Sequence, residues 1–303
     1  MRIVAFLNFK GGVGKTANVV NLGACLSLLH KKRVLVVDLD PQCNATYWLL
    51  RPGEFNQLAD GTHPKNRVRQ TTYQIFKDVI NGTCLFDVNA SIIRGVPRNE
   101  DGTEIIPLLH LLPGAFDLLE IEFSVPHRVA SRFKPCLRNA LSPISNDYDF
   151  VFLDCPPNLY HVSITAVLAA QNIVVPYNPD YLSLSGFRAL CRHLRQLDDS
   201  LQASRAHFAQ NLVSALTVNR YDKRGNVYDT AVAELQSQLD LLKEAQLVHP
   251  KCAVLSPSIR QDVRIAESTS EHKPVILYSP KSIGAVDYVK LSSSFLSQMD
   301  HLL

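Results

Sequence analysis

Apolar residues gather in short runs along this chain: Ile3–Leu7, Val34–Val37, Phe150–Leu153, Ile173–Val175 and Val213–Val218 (which includes Ser214 and Thr217), with Cys252–Leu255 a weaker sixth. None of them alternates with polar positions. A strand that is apolar on both sides needs cover on both sides, as in a parallel sheet flanked by helices. Between the runs, Val19–Leu29 and Phe187–Leu197 carry apolar residues at helical spacing. Strand-like runs alternating with helical ones predict an α/β fold, a doubly wound, mostly parallel sheet with helices on both faces.

Residues 51–114 break this rhythm. RPGEFNQLADGTHPKNR and GVPRNEDGTE are rich in Pro, Gly and Asn, which predicts loops around one short helix near Tyr73–Ile80. So long a polar stretch in a compact domain reads as an insertion, lid or partner surface. The 303 residues suffice for one large α/β domain, expected here over 1–303 with the loop-rich insertion at about 51–114. The apolar start, MRIVAFLNFKGG, is too short for a signal peptide, and no stretch reaches the roughly 18 apolar residues of a membrane span. The final helical stretch, Val286–Leu302, has Lys290 as its basic residue and lacks the basic face of a membrane-surface helix. No stable membrane anchor is expected, and the reading is of a cytoplasmic protein.

Composition changes the picture little. Lys and Arg number 31 against 28 Asp and Glu, and 46% of residues are hydrophobic, ordinary for a globular protein. Seven cysteines (25, 43, 84, 136, 155, 191, 252) form no C-x-x-C pair, and their spacing fits neither a zinc site nor a disulfide framework. Reduced, mostly buried thiols are the expectation.

The chemistry lies where the first strand runs into Lys10-Gly11-Gly12-Val13-Gly14-Lys15-Thr16 and a helical pattern follows. Glycines let the backbone turn its N–H groups around phosphates, and the helix start adds a positive dipole end. In such a loop Lys15 reaches the β- and γ-phosphates of ATP and the Thr16 hydroxyl ligates Mg²⁺. Phe9 stands where the ordinary pattern has a glycine, and Lys10 is a second lysine. Two further strand ends carry carboxylates. Val34–Val37 leads into Asp38-Leu39-Asp40-Pro41-Gln42, with both acids expected on one side of the strand. Phe150–Leu153 leads into Asp154, the Walker B pattern whose Asp holds Mg²⁺ directly or through water.

KGGVGKT, DLDPQ and FLDCPP in this order resemble the deviant Walker A, A′ and Walker B motifs of the ParA/MinD superfamily, most of all its ParA/Soj-type partition ATPases. IRQDVRIAE at 259–267, and KPV through YSPKS, Ala285 and Tyr288, are similar to the family's closing segments, so residues 1–50 and 145–295 match. The resemblance implies an ATPase that dimerises with ATP bound and hydrolyses it slowly until a ParB-like or adaptor protein stimulates it. It implies a signature role for Lys10, reaching the partner's phosphates. Gly11, Gly12, Val13, Gly14, Lys15, Thr16 and Ala17 would surround the nucleotide, with Asn219 and Arg220 meeting the adenine. Thr16, Asp38 and Asp154 would serve the metal, and Asp40 would orient the attacking water. Ala17 replaces the family's second Thr, Cys43 a Gly, and Arg260 a Pro near the base.

The same resemblance implies that the ATP-bound dimer binds double-stranded DNA without sequence preference, and hence association with the nucleoid. Arg188, Arg192 and Arg195 recur at i, i+4, i+7, opposite Phe187, Leu190, Cys191 and Leu194, and Arg260, Arg264, Lys273 and Lys281 could join them. Residues 181–303 hold 14 Lys and Arg against 12 Asp and Glu, a net of +2, so any DNA surface is a local patch. The alternatives are a cargo-positioning ATPase of the same superfamily, a MinD-like membrane-cycling ATPase, and a metabolic relative. An iron–sulfur reductase would need cluster ligands, for which Cys136 and Cys155 are the pair to name.

Overall fold

The computed structural model describes residues 1–54, 71–126, 129–203, 212–222 and 226–302. Seven strands form one sheet: β1 Arg2–Phe6, β2 Val34–Asp38, β3 Leu109–Leu112, β4 Phe150–Asp154, β5 Asn172–Tyr177, β6 Val213–Val218 and β7 Ala253–Leu255. Their order is β3-β2-β4-β1-β5-β6-β7 and every pairing is parallel. The helices used below are α1 Lys15–Leu29, α2 Asn44–Leu49, α3 Thr72–Asn81, α4 Leu118–Ser124, α5 His161–Ala169, α6 Tyr181–Ala203, α7 Asn226–Glu244, α8 Val263–Ser270 and α9 Ile283–His301.

The apolar runs are explained by burial on both faces. Ile3, Ala5, Val151 and Leu153 join Val162 of α5, Phe187 and Leu190 of α6 and Leu235 of α7 in one core. Val4, Phe6, Val36 and Phe152 join Leu22 of α1 and Tyr288, Leu291 and Phe295 of α9 in the other. Phe152 there meets Phe6 with ring centroids 5.0 Å apart and Phe295 at 5.5 Å. The expected doubly wound fold is thus present. Because all strands are parallel, the loops after β1, β2, β4 and β6 open on one rim, where ligands of such sheets sit.

The reading of 51–114 needs correction over its described part. Ile75, Phe76, Val88, Ile92 and Ile93 are buried, and β3 adds Leu109, Leu111 and Leu112 to the sheet. The described part therefore holds more than loops around one helix, contributing apolar residues to the core and a strand to the sheet. The strand escaped notice because it is four residues long, LHLL, and lies at the sheet edge behind a Pro- and Gly-rich stretch. The expected helix near Tyr73–Ile80 is α3; residues 55–70 lie outside the described residues.

A candidate nucleotide site at the rim of the sheet

The loop from Asn8 to Gly14 joins β1 to α1. Gly12 and Gly14 have φ of 71° and 91°, the left-handed region that favours glycine. Gly14 caps α1 with no side-chain bond, and no acidic residue lies in the helix's first turn. The positive end of α1 therefore opens onto the rim. A cleft of about 790 Å³ lies over it, lined by the loop, Ala17, Asp40, Arg220 and the apolar Ile259, Val263 and Ile265. Lys15 is 7% exposed. Burial lowers its pKa, and the nearby Asp154 and Asp40 oppose that shift.

Strand register puts Asp38 beside Asp154 at the ends of β2 and β4. The Thr16 hydroxyl donates to Asp154 Oδ2 at 2.8 Å, while Asp154 Oδ1 is buried with no partner. Burial and then the Asp38 charge raise the Asp154 pKa well above the carboxylate range. Asp40 is 7% exposed; its Oδ1 accepts the Gln42 N–H at 2.9 Å, and burial raises its pKa. Two buried carboxylates act on one lysine, and an orphaned Asp154 oxygen sits beside the Thr16 hydroxyl; these groups fit Mg²⁺, which takes one or two carboxylates and completes its shell with phosphate and water.

Asp38, expected to serve the metal, is held by its own chain. Its Oδ2 accepts the Thr46 N–H at 2.8 Å and the Thr46 hydroxyl at 2.6 Å, and its Oδ1 accepts the Asp40 N–H at 3.2 Å. The strand ends at Asp38, so Asp40 lies beyond strict alternation, though its charge still acts on Asp38. Asp38 holds the 39–46 turn through these bonds, beside Asp154 at the end of the neighbouring strand. Thr46, whose hydroxyl also accepts the Gly114 N–H at 2.9 Å, is a site residue that no sequence motif flags. Cys43 adopts φ 54° in that turn, where the family's glycine would be unstrained.

Lys10 turns aside from Lys15. Its Nζ donates to both oxygens of Asp180, at 2.8 and 3.0 Å, and to the Ser183 hydroxyl at 3.2 Å. Asp180 and Ser183, at the start of α6, were not singled out by the sequence. Burial pushes the Asp180 pKa up, but the bonds from Lys10 and Ser183 outweigh it and hold the carboxyl below its ordinary value. Phe9 packs edge-on against His193 of α6 at 5.9 Å. Asn219 and Arg220 do lie beside the loop, but the Asn219 side chain is 4% exposed and turned into it.

The five arginines expected at DNA do not form one patch. Arg188, Arg192 and Arg195 ride on α6, which packs on one face of the sheet, while α8 with Arg264 packs against α2 and α9 on the other. Arg260 is drawn into a bidentate ion pair with the buried Asp287, Nη2 to Oδ1 at 2.6 Å and Nε to Oδ2 at 2.9 Å. It is a wall of the cleft rather than a free cation, and its loss would leave the buried Asp287 without its partner. Arg264 pairs with Glu267 at 2.5 Å, Arg195 with Asp199 at 3.1 Å, and Arg188 donates to Gln238. Arg192 is exposed. Cys136 and Cys155 are both buried in the apolar core, with thiols pushed up by burial, Cys136 to about 12. Among the described residues no group of three His, Cys, Asp or Glu is placed to hold a metal, and no helix is long and apolar enough to cross a membrane.

Comparison with known proteins agrees with this geometry. A family model described as an AAA domain matches residues 1–206. The sporulation initiation inhibitor protein Soj of Bacillus subtilis (strain 168) is 32% identical over 292 residues, 96% of each chain. The chromosome partitioning protein ParA of Caulobacter vibrioides (strain NA1000 / CB15N) is 28% identical over 300 residues, 98% of this chain and 95% of its own. In fold, the chain resembles cobyrinic acid a,c-diamide synthase from Mycobacterium smegmatis, solved with an ATP analog and magnesium. That match has a TM-score of 0.66 at 23% identity and covers 100% of this chain and 97% of the other. The rim glycines, the paired Asp38 and Asp154 strands, and likeness to Soj along nearly the whole length place this chain in the ParA/MinD superfamily of deviant Walker A ATPases, among its ParA/Soj-type members.

Proposed function

We propose that the chain is a Mg²⁺- and ATP-dependent dimerisation switch with slow, partner-stimulated ATP hydrolysis, serving plasmid or chromosome partition through non-specific binding to double-stranded DNA. One observation carries the nucleotide reading. Lys15 is buried within reach of the Asp40 and Asp154 charges just after the Gly12–Gly14 turn, with Asp154 Oδ1 unpartnered beside the Thr16 hydroxyl. The ATP analog and magnesium bound to the cobyrinic acid synthase neighbour support the same ligands here. The N–H groups of the loop and Lys15 would hold the phosphates, and Thr16 and Asp154 would hold Mg²⁺. The ion supplies charge neutralisation on the phosphates. Asp40 orients a water for in-line attack on the γ-phosphate, and the buried Lys15 stabilises charge on the oxygens as the bond breaks.

Lys10 supplies the gate in this reading. It leaves Asp180, crosses to the nucleotide of a second copy, and so ties association to ATP. The chromosome-partitioning role of the Caulobacter relative supports DNA as the surface on which the dimer acts, with a ParB-like protein or another adaptor as stimulator. The test is duplex-DNA binding with ATP, with ADP and without nucleotide. Retention with ATP alone is expected; no retention of the ATP-loaded dimer would overturn the DNA part. One observation favours a second reading. Arg195, Arg260 and Arg264 already face carboxylates of their own chain, which fits the same switch positioning a cargo other than DNA.

A further inference from the structure

Asn219 closes strand β6 with its backbone N–H bonded to the Tyr177 carbonyl of β5 at 2.8 Å. Its side-chain amide is tied into the protein at both ends. Nδ2 donates to the Val13 carbonyl at 2.9 Å and, at longer range, to the Thr217 carbonyl at 3.4 Å. Oδ1 accepts from Asn18 Nδ2 at 3.2 Å, and that same group donates to Thr217 Oγ1 at 3.0 Å. The orientation is forced, because the two partners at the Nδ2 end are carbonyls that only accept. A Cβ on Gly14 would lie 3.2 Å from Asn219 Cγ, so the side chain fills the space that a glycine leaves.

We infer that Asn219 is a positioning residue for the phosphates and not a reader of the base; the inference rests on the nucleotide reading above. In a trans peptide the carbonyl and the following N–H point opposite ways. Drawing the Val13 carbonyl toward β6 therefore aims the Gly14 N–H away from β6 and into the cradle. Asn219 fixes that peptide from a sheet strand that is itself anchored, so the loop is set before any ligand arrives. Such preorganisation spares the ligand the cost of ordering the loop. A base would meet Ile259, Val263 and Ile265 instead, with Arg220 at the edge of the cleft.

Two full-length variants test this, Asn219→Ala and the isosteric Asn219→Asp, which sets an acceptor against the Val13 carbonyl. Affinities for ATP, for GTP and for base-free tripolyphosphate, each with Mg²⁺, are compared by calorimetry. Hydrogen exchange of residues 11–16 is followed without ligand. Both variants are expected to lose about tenfold for all three ligands alike, keeping the wild-type ATP-to-GTP ratio. Faster exchange confined to that loop is expected too, with the thermal midpoint little changed. Unaltered tripolyphosphate affinity, unaltered exchange and a collapsed ATP-to-GTP ratio would make Asn219 a base reader and overturn the inference. Wild-type protein that binds none of the three would sink the nucleotide reading, while the exchange data would still decide whether Asn219 braces the loop.

Discussion

A lysine and three acids, all nearly closed off from water, divide the chemistry at this rim among single side chains. Lys15 and Asp40 are both 7% exposed, yet their expected contributions separate cleanly. Lys15 touches phosphate charge in ground and transition states alike, so Lys15→Ala should abolish both nucleotide binding and turnover. Asp40 acts on the water, an interaction felt mainly at the transition state. Asp40→Ala should bind ATP within about threefold of wild type but turn over at least about a hundredfold more slowly. Calorimetry beside single-turnover hydrolysis checks both, and equal loss of ATP affinity in the two variants would show Asp40 misassigned. Asp38 makes a different prediction. Burial, with the Asp40 charge adding to it and the Thr46 bonds opposing it, raises its pKa from 3.8 to about 7. Between those values the folded chain keeps a proton that the unfolded chain has released, so stability falls as pH rises through this window. In Asp38→Asn the amide oxygen can still accept from Thr46 and nothing titrates. Without Mg²⁺, the midpoint of thermal unfolding from pH 5 to 8 should fall for wild type and stay flatter for the variant.

Helix α6 carries the arginines that periodicity grouped and α8 carries Arg264, which was expected to join them; their separation gives the DNA reading a sharper form. Arg192→Glu should weaken DNA binding of the ATP state about tenfold on every sequence tested, since a phosphate contact carries no base information. Arg260→Ala should act differently. It leaves the buried Asp287 without its partner and should cost about 2 kcal/mol of stability in a denaturant titration, Arg260 being partly open to solvent. A stability-neutral Arg260→Ala with weaker DNA binding would return Arg260 to the DNA surface. Much at this scale was legible in the chain. Short apolar runs mark strands covered on both sides, and glycines ahead of Lys15 mark the turn into α1. β3 was not legible, because four residues with a histidine among them carry too little periodicity. Nor were the partners of the site. Thr46, Asp180 and Ser183 are common residue types whose role comes from where β2 and β5 end, not from their neighbours in sequence. Nor was the ion pair of Arg260 legible, because the buried carboxylate that holds it lies 27 residues away in sequence.

For the whole molecule the decisive question is what a second copy adds. If Lys10 acts on the partner's nucleotide, Lys10→Ala should bind ATP normally and remain a single chain by sedimentation, whereas wild type associates with ATP. A stable ATP-bound dimer of Lys10→Ala would refute that role. The resting place of Lys10 has a further consequence, in ionic strength. Lys10 and Asp180 are each 42% exposed, and a pair so open to water is worth at most about 1 kcal/mol and is weakened by screening. Raising salt from about 20 mM to about 150 mM, across which the screening length falls to about 8 Å, should thus loosen Lys10 from its own chain. ATP-driven association without DNA should become up to a few-fold easier over that range. DNA attachment should meanwhile grow weaker, as ions reclaim the phosphates of the duplex. Opposite trends in the two steps would give overall DNA loading a maximum at intermediate salt, and sedimentation and DNA binding measured on one salt series would reveal it.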